Sequence, residues 1–88
     1  MRRTSAKKAA LLRIYTKLRR EFLEENPNCV RCQERATEVH HRAGRVGAAL
    51  LDVSRWAGMC SDCHRWATGN PLLAVAEGYS LPRIGGAA

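Results

Sequence analysis

Four cysteines and three histidines are the residues of this chain whose types and spacing could do chemistry. The cysteines form two C-x-x-C pairs separated by 27 residues, namely Cys29, Cys32, Cys60 and Cys63. Thiolates are soft ligands, and two such pairs match the tetrahedral preference of Zn²⁺. The pattern therefore predicts a structural zinc site in which four thiolates complete the tetrahedron without a histidine.

Two other uses of a C-x-x-C pair agree less well with the chain. A thioredoxin-type redox site needs a βαβ scaffold, which 88 residues with a second cysteine pair are too few to build. Residues 60–64 also match the c-type haem attachment sequence, but haem attachment requires export and leaves Cys29 and Cys32 without a role. Because Leu11-Leu12 is followed at once by Arg13, we expect no signal peptide and a reducing cytoplasm.

The histidines are placed where they could form a second site. His40 and His41 are adjacent at the end of an expected strand, and His64 directly follows the last cysteine. One imidazole could bind a divalent cation while its neighbour accepts a proton from water. Open coordination positions for water and phosphate oxygens would make that site hydrolytic rather than structural. The alternative interpretation is a polar pair on a solvated strand end.

The elements that position these residues follow from periodicity and helix breakers. An apolar stripe at i, i+4, i+7 and i+11 predicts a helix over residues 5–25, with Ser5 as its N-cap and Asn26-Pro27 as its end. Residues 36–40 predict a strand, and a loop of weakly specified shape follows over residues 42–51. The stripe consists of Leu11, Tyr15, Leu18 and Phe22.

The second half of the chain predicts three further elements. Residues 53–59 are expected to return as a second strand with Trp56 packed inward. A helix is expected to start at the second cysteine pair and to carry His64. Asn70-Pro71 predicts the start of a short helix that Gly78 ends. Trp66 and the Leu72-Leu73 pair are expected in the core.

The charge distribution favours a polyanionic partner. The chain has 15 basic and 8 acidic residues, and eight of the basic residues lie within residues 1–20, which contain no acid. Nucleic acid is the usual partner of such a segment, although a solvated helix face is the alternative. Arg42, Arg45 and Arg65 lie next to the histidines and could hold phosphate oxygens bidentately. No apolar run approaches a membrane span, and no small-molecule substrate is indicated.

These motifs resemble the zinc-knuckle branch of the HNH endonucleases, which are common in bacteria and their phages. The resemblance covers about residues 27–78 and is carried by Cys29-x2-Cys32, by Glu38-Val39-His40-His41 and by Met59-Cys60-x2-Cys63-His64. It implies an α+β fold, a zinc-stapled ββα-metal core of treble-clef type. Here residues 1–26 would add a basic helix and residues 79–88 a tail without assigned function.

The resemblance also implies metal-dependent cleavage of DNA phosphodiester bonds. By position, His41 would be the general base, and His40 and His64 would bind the catalytic ion, which could be Mg²⁺, Mn²⁺ or Ni²⁺. The central Asn of the family is missing, and Arg55 or Ser54 lies closest to its place. The alternative is a non-catalytic zinc-binding module that contacts DNA or protein, for example a phage packaging or structural component.

Overall fold

The computed structural model describes residues 6–82, so the predicted cap Ser5 and tail residues 83–88 lie outside the described part. The described chain is a small α+β fold with three α-helices and a two-stranded antiparallel sheet. In chain order the elements are α1 (Ala6–Glu25), β1 (Glu38–His41), β2 (Trp56–Met59), α2 (Ser61–Gly69) and α3 (Pro71–Ala76). Two short 3₁₀ helices, Gly47–Leu51 and Val53–Arg55, lie between the strands.

The sheet aligns the adjacent histidines with the second strand. His40 is opposite Ala57 and His41 is opposite Trp56 in the antiparallel register. The predicted second strand begins later than expected, because residues 53–55 form a 3₁₀ turn in which the Arg55 amide donates to the Asp52 carbonyl at 3.0 Å. The predicted loop likewise contains a 3₁₀ helix. Both strands are only four residues long.

The predicted N-terminal helix is present, and its apolar stripe contacts the sheet through aromatic rings. Tyr15 and Phe22 both make edge contacts with the Trp56 ring, with ring centroids 5.7 and 5.6 Å apart. None of the described residues of α1 is fully buried. Although α1 is 20 residues long, no described helix is both long enough and apolar enough to cross a membrane.

The core lies between the sheet, α2 and the two cysteine pairs. Its buried cluster consists of Cys29, Met59, Cys63, Ala67 and Ala74, against which Trp66 and Tyr79 pack. The inward position predicted for Trp56 is confirmed, since only 5% of that residue is exposed.

The expectation that Leu72 and Leu73 belong to the core is wrong. Leu72 is 85% exposed and Leu73 is 51% exposed. A helix of six residues can turn only one narrow face to the core, and in α3 that face carries the fully buried Ala74. The two leucines therefore lie toward solvent.

Candidate functional site

The four cysteine Sγ atoms converge on one point. All of them lie within 4.8 Å of one another, and those of Cys32 and Cys60 are 3.6 Å apart. In a tetrahedral zinc site with Zn–S bonds of about 2.3 Å, the sulfurs lie about 3.8 Å apart. The tetrad is thus positioned to bind a metal ion, as the spacing of the pairs predicts. Within residues 6–82 it is the one group of three or more His, Cys, Asp or Glu side chains that converges in this way.

Backbone hydrogen bonds orient each cysteine pair toward the point at which the four Sγ atoms converge. In the first turn the Cys29 amide donates to the Glu34 carbonyl, and the Gln33 amide donates to the Cys29 carbonyl. Gln33 adopts a left-handed conformation with φ of 70°, which reverses the chain after the pair. The second pair caps α2, since the Cys63 amide donates to the Cys60 Sγ atom at 3.4 Å.

The pKa values of two thiols of the tetrad shift in opposite directions. Burial alone raises the pKa of the Cys29 thiol, but the backbone amides of Cys32, Cys60 and Arg31 outweigh burial and lower that pKa to about 6. Burial raises the pKa of the Cys63 thiol to about 12, and the neighbouring sulfurs act in the same direction. Several thiolates can share so small a space only when a cation offsets their repulsion.

Arg31 donates a hydrogen bond to the tetrad, a contact that the sequence analysis did not predict. One guanidinium nitrogen lies 3.6 Å from the Cys63 Sγ atom and donates to it. The same guanidinium lies over the Trp66 ring, 3.8 Å from its centroid. Because both residues between these cysteines, Val30 and Arg31, are exposed, no periodic signal marks Arg31 as a contact.

All three histidines line one cleft, which we call the histidine cleft. It has a volume of about 1120 Å³ and lies among α1, β1, α2, α3 and the chain after α3. His40 and His41 come from β1, and His64 comes from the first turns of α2. Of the arginines predicted to bind nucleic acid, Arg42 and Arg45 also line this cleft. The lining residues do not include Arg65, whose exposed side chain pairs with Asp62 at 3.3 Å.

Glu38 holds His64 in a defined orientation. The Glu38 Oε1 atom lies 2.5 Å from His64 Nδ1. An ionised carboxylate can only accept, so Nδ1 carries the hydrogen and donates it. In the neutral ring the lone pair is then on Nε2, which is the arrangement that carboxylates impose on metal-binding histidines. The sequence analysis assigned no role to Glu38, although its position two residues before the histidine pair is the signal that could have indicated one.

His40 contacts both His64 and the tail. Its ring centroid lies 5.3 Å from that of His64, and its Nε2 atom lies 2.8 Å from the Ser80 Oγ atom. Burial lowers the pKa of His40, and the nearby His64 adds to this effect. The tail, to which the sequence assigned no function, therefore contributes Ser80 to the histidine cleft.

His41 is enclosed by aromatic rings from two other elements. The Tyr15 ring stacks on it with centroids 5.7 Å apart, and the Tyr15 hydroxyl lies 3.2 Å from His41 Nε2. Trp56 contacts the imidazole edge-on from the paired strand. Burial lowers the pKa of His41 to about 4, with the charge of Arg45 acting in the same direction, so the imidazole is neutral at pH 7.

Ser54 and Arg55, the residues nearest the position at which the HNH resemblance implies an Asn, both bind Asp52. The Ser54 hydroxyl donates to one Asp52 carboxylate oxygen at 2.5 Å, and the Arg55 Nε atom lies 3.3 Å from the other. Neither Ser54 nor Arg55 is among the residues that line the histidine cleft. The Arg55 carbonyl accepts from the Arg42 amide at 3.0 Å, which ties the two ends of the loop together.

Comparison of the chain with family models, with curated proteins and with solved structures finds no match. The tetrad is positioned to bind a metal ion at the start of α2, and the helix that it caps carries His64 into the cleft. A metal bound by the tetrad would therefore determine where His64 lies.

Proposed function

We propose that the chain is a metal-dependent DNA endonuclease of the HNH type, whose fold is stabilised by a structural Zn²⁺ ion on the cysteine tetrad. The observation that carries the proposal is that all three histidines line one cleft together with Arg42 and Arg45. Imidazole pairs suit divalent transition ions, and guanidinium groups suit phosphate oxygens. The substrate would be the phosphodiester backbone.

In the proposed reaction His40 and His64 would hold a divalent ion, and His41 is the general base. His41 accepts a proton from a water molecule as the water oxygen forms a bond to phosphorus. The bond from phosphorus to the 3′ oxygen breaks, and the 3′ oxygen takes a proton from solvent. When bound there, Mg²⁺, Mn²⁺ or Ni²⁺ would supply positive charge that offsets the negative charge on the phosphate and on the departing oxygen.

One contact favours a second candidate function, a non-catalytic zinc-binding module that binds DNA or protein. The Nε2 atom of His40, a proposed ion ligand, already lies 2.8 Å from the Ser80 hydroxyl. Ion binding by His40 through that nitrogen requires the Ser80 contact to open. The module would use the same arginines for binding, and a packaging or structural assembly of a phage would supply its protein partners.

Supercoiled-plasmid cleavage separates the two functions. The zinc-loaded chain is assayed with Mg²⁺, Mn²⁺ and Ni²⁺, beside His41→Ala and a sample without added divalent ions. We expect ion-dependent nicking that falls at least about 100-fold in His41→Ala, because general bases contribute about 10²–10⁴-fold to rates. DNA binding is measured in parallel by gel shift and should persist in the variant.

The fold of His41→Ala is checked beside the assay. Metal analysis and circular dichroism should show that the variant retains the tetrad metal and the helix content of the unaltered chain. Nicking that is equal in the unaltered chain and in His41→Ala would refute the nuclease proposal. Absence of nicking with every ion, from a folded chain that still shifts DNA, would assign the binding module instead.

A further inference from the structure

A second cleft lies along α1, and we call it the α1 groove. It has a volume of about 790 Å³ and lies between α1 and the segment of residues 27–36. Leu23, Pro27 and Ala36 supply apolar lining. Three arginines line it as well, Arg19, Arg20 and Arg35, against one acidic side chain, that of Glu24. The groove is therefore concave and has a net positive charge.

Arg19 connects the α1 groove with the histidine cleft, because its side chain lines both. One of its guanidinium nitrogens donates to the Thr37 carbonyl at 3.1 Å, which fixes the side chain against the start of β1. The arginines of the two clefts thus form one series, from Arg42 and Arg45 through Arg19 to the α1 groove. A polyanion in the histidine cleft could continue along this series.

The guanidinium groups of Arg20 and Arg35 are free to take a ligand. Within residues 6–82 neither side chain has a hydrogen bond, an ion pair or a ring contact. Two unpaired arginines that face one concave surface can bind phosphate oxygens through bidentate hydrogen bonds. The groove lining includes no aromatic side chain on which a base could stack. These features suit the backbone of a nucleic acid and not its bases.

We infer that the α1 groove binds the phosphodiester backbone of duplex DNA beside the scissile position, through Arg20 and Arg35, with Arg19 as the link to the histidine cleft. The inference rests on the proposed function for the identity of the polyanion. It extends that function by assigning a flanking contact surface to α1, outside the region of the HNH resemblance. Binding through backbone phosphates is independent of base sequence and depends strongly on salt.

The test is a fluorescence-anisotropy titration of a labelled DNA duplex, repeated over a series of salt concentrations without added divalent ions. The double variant Arg20→Gln/Arg35→Gln is compared with Lys7→Gln/Lys17→Gln, which removes the same charge from exposed α1 residues that line neither cleft. The slope of log K against log salt is negative, and each lost phosphate contact makes it less steep by about 0.9. The slope of the arginine variant should therefore be less steep by about 1.8. Its Kd should rise about tenfold or more at moderate salt.

The lysine variant should retain the slope of the unaltered chain, and duplexes of different sequence should be affected alike. Equal losses in the two variants would overturn the inference, because the charge of α1 would then act diffusely. An unchanged slope in the arginine variant, or no DNA binding by the unaltered chain, would overturn it as well. The titration involves no cleavage, so the groove can be confirmed while the nuclease proposal fails, and the reverse result is equally distinguishable.

Discussion

At the histidine cleft, two hydroxyl groups from distant parts of the chain lie against the imidazoles. Tyr15 comes from α1 and Ser80 from the chain after α3, and each contacts the Nε2 atom of one histidine. Neither contact leaves a local sequence pattern, since the partners lie 26 and 40 positions apart in the chain. These hydroxyls lead to two predictions at the scale of single residues.

The first residue-scale prediction concerns Tyr15 as a positioning residue for His41. Tyr15→Phe keeps the stacked ring and removes only the hydroxyl. Loss of one neutral hydrogen bond of about 0.5–1.5 kcal/mol should lower kcat about 2- to 12-fold and leave KM unchanged. Steady-state kinetics on a short duplex measures both constants, with Tyr79→Phe as the control at the other tyrosine. A change in KM alone would instead indicate that Tyr15 contacts the DNA.

The second residue-scale prediction concerns the competition between Ser80 and a metal ion for His40. Ser80→Ala removes the contact at Nε2, so an ion no longer has to displace a hydrogen bond. We expect Ni²⁺ to bind about 2- to 12-fold more tightly, which calorimetry on the zinc-loaded chain measures, with Ser61→Ala as the control. Weaker binding in Ser80→Ala would show that the Ser80 hydroxyl helps to hold the ion.

At the scale of elements, the close approach of β2 to neighbouring backbone depends on a glycine. A Cβ atom on Gly58 would lie 3.1 Å from the Asn26 carbonyl oxygen and 3.2 Å from the Ala36 Cβ atom. The first is a backbone atom and the second is a methyl carbon fixed to the backbone, so neither can move away unless the chain after α1 moves. The Gly58 carbonyl also accepts from the Val30 amide at 3.0 Å, which joins β2 to the first cysteine turn.

Gly58→Ala should therefore destabilise the chain by about 1–3 kcal/mol, as crowding of a packed site does. Urea unfolding of the zinc-loaded chain, followed by circular dichroism, gives the free energy of unfolding. Gly69→Ala is the matched control, because a Cβ atom on Gly69 meets no atom within 4 Å. It should be neutral or stabilise the chain by up to about 1 kcal/mol. Equal stability of the two variants would contradict the close packing at Gly58.

At the scale of the whole molecule, the core is too small to be independent of the cysteine tetrad. Its largest fully buried side chains are those of Met59 and Cys29, so a tetrad ligand is itself part of the core. Cys63 belongs to the same buried cluster. Structural zinc contributes about 10–16 kcal/mol of apparent binding free energy to small folds of this kind.

We therefore expect the purified chain to bind one Zn²⁺ ion and to unfold when a strong chelator removes it. Metal analysis gives the stoichiometry, and circular dichroism during chelation reports the loss of helix. Cys63→Ser should abolish stable zinc binding, whereas Ser61→Ala in the same turn should retain it. A zinc-free chain that still unfolds cooperatively at the same temperature would contradict a structural role for the ion.

Local spacing was sufficient to predict several features of this molecule. The convergence of the four cysteines was predicted from two C-x-x-C pairs, because this spacing places both thiols of a pair on one turn of the chain. The helices and strands followed from periodicity and from breakers such as Pro27 and Pro71, although the strand ends were predicted less well. The HNH resemblance and the catalytic roles of His40, His41 and His64 remain predictions.

The tertiary structure alone decided what surrounds those residues. The packing of α3 decides that Leu72 lies outside the core. The packing of α1 and of the chain after α3 decides which hydroxyl contacts each histidine. It is also the packing of α1 that brings Arg19, Arg20 and Arg35 to one groove. Periodicity identifies the apolar side of an element but does not specify the partner that covers it. Such contacts join residues far apart in the chain, and only the packed arrangement of elements brings them together.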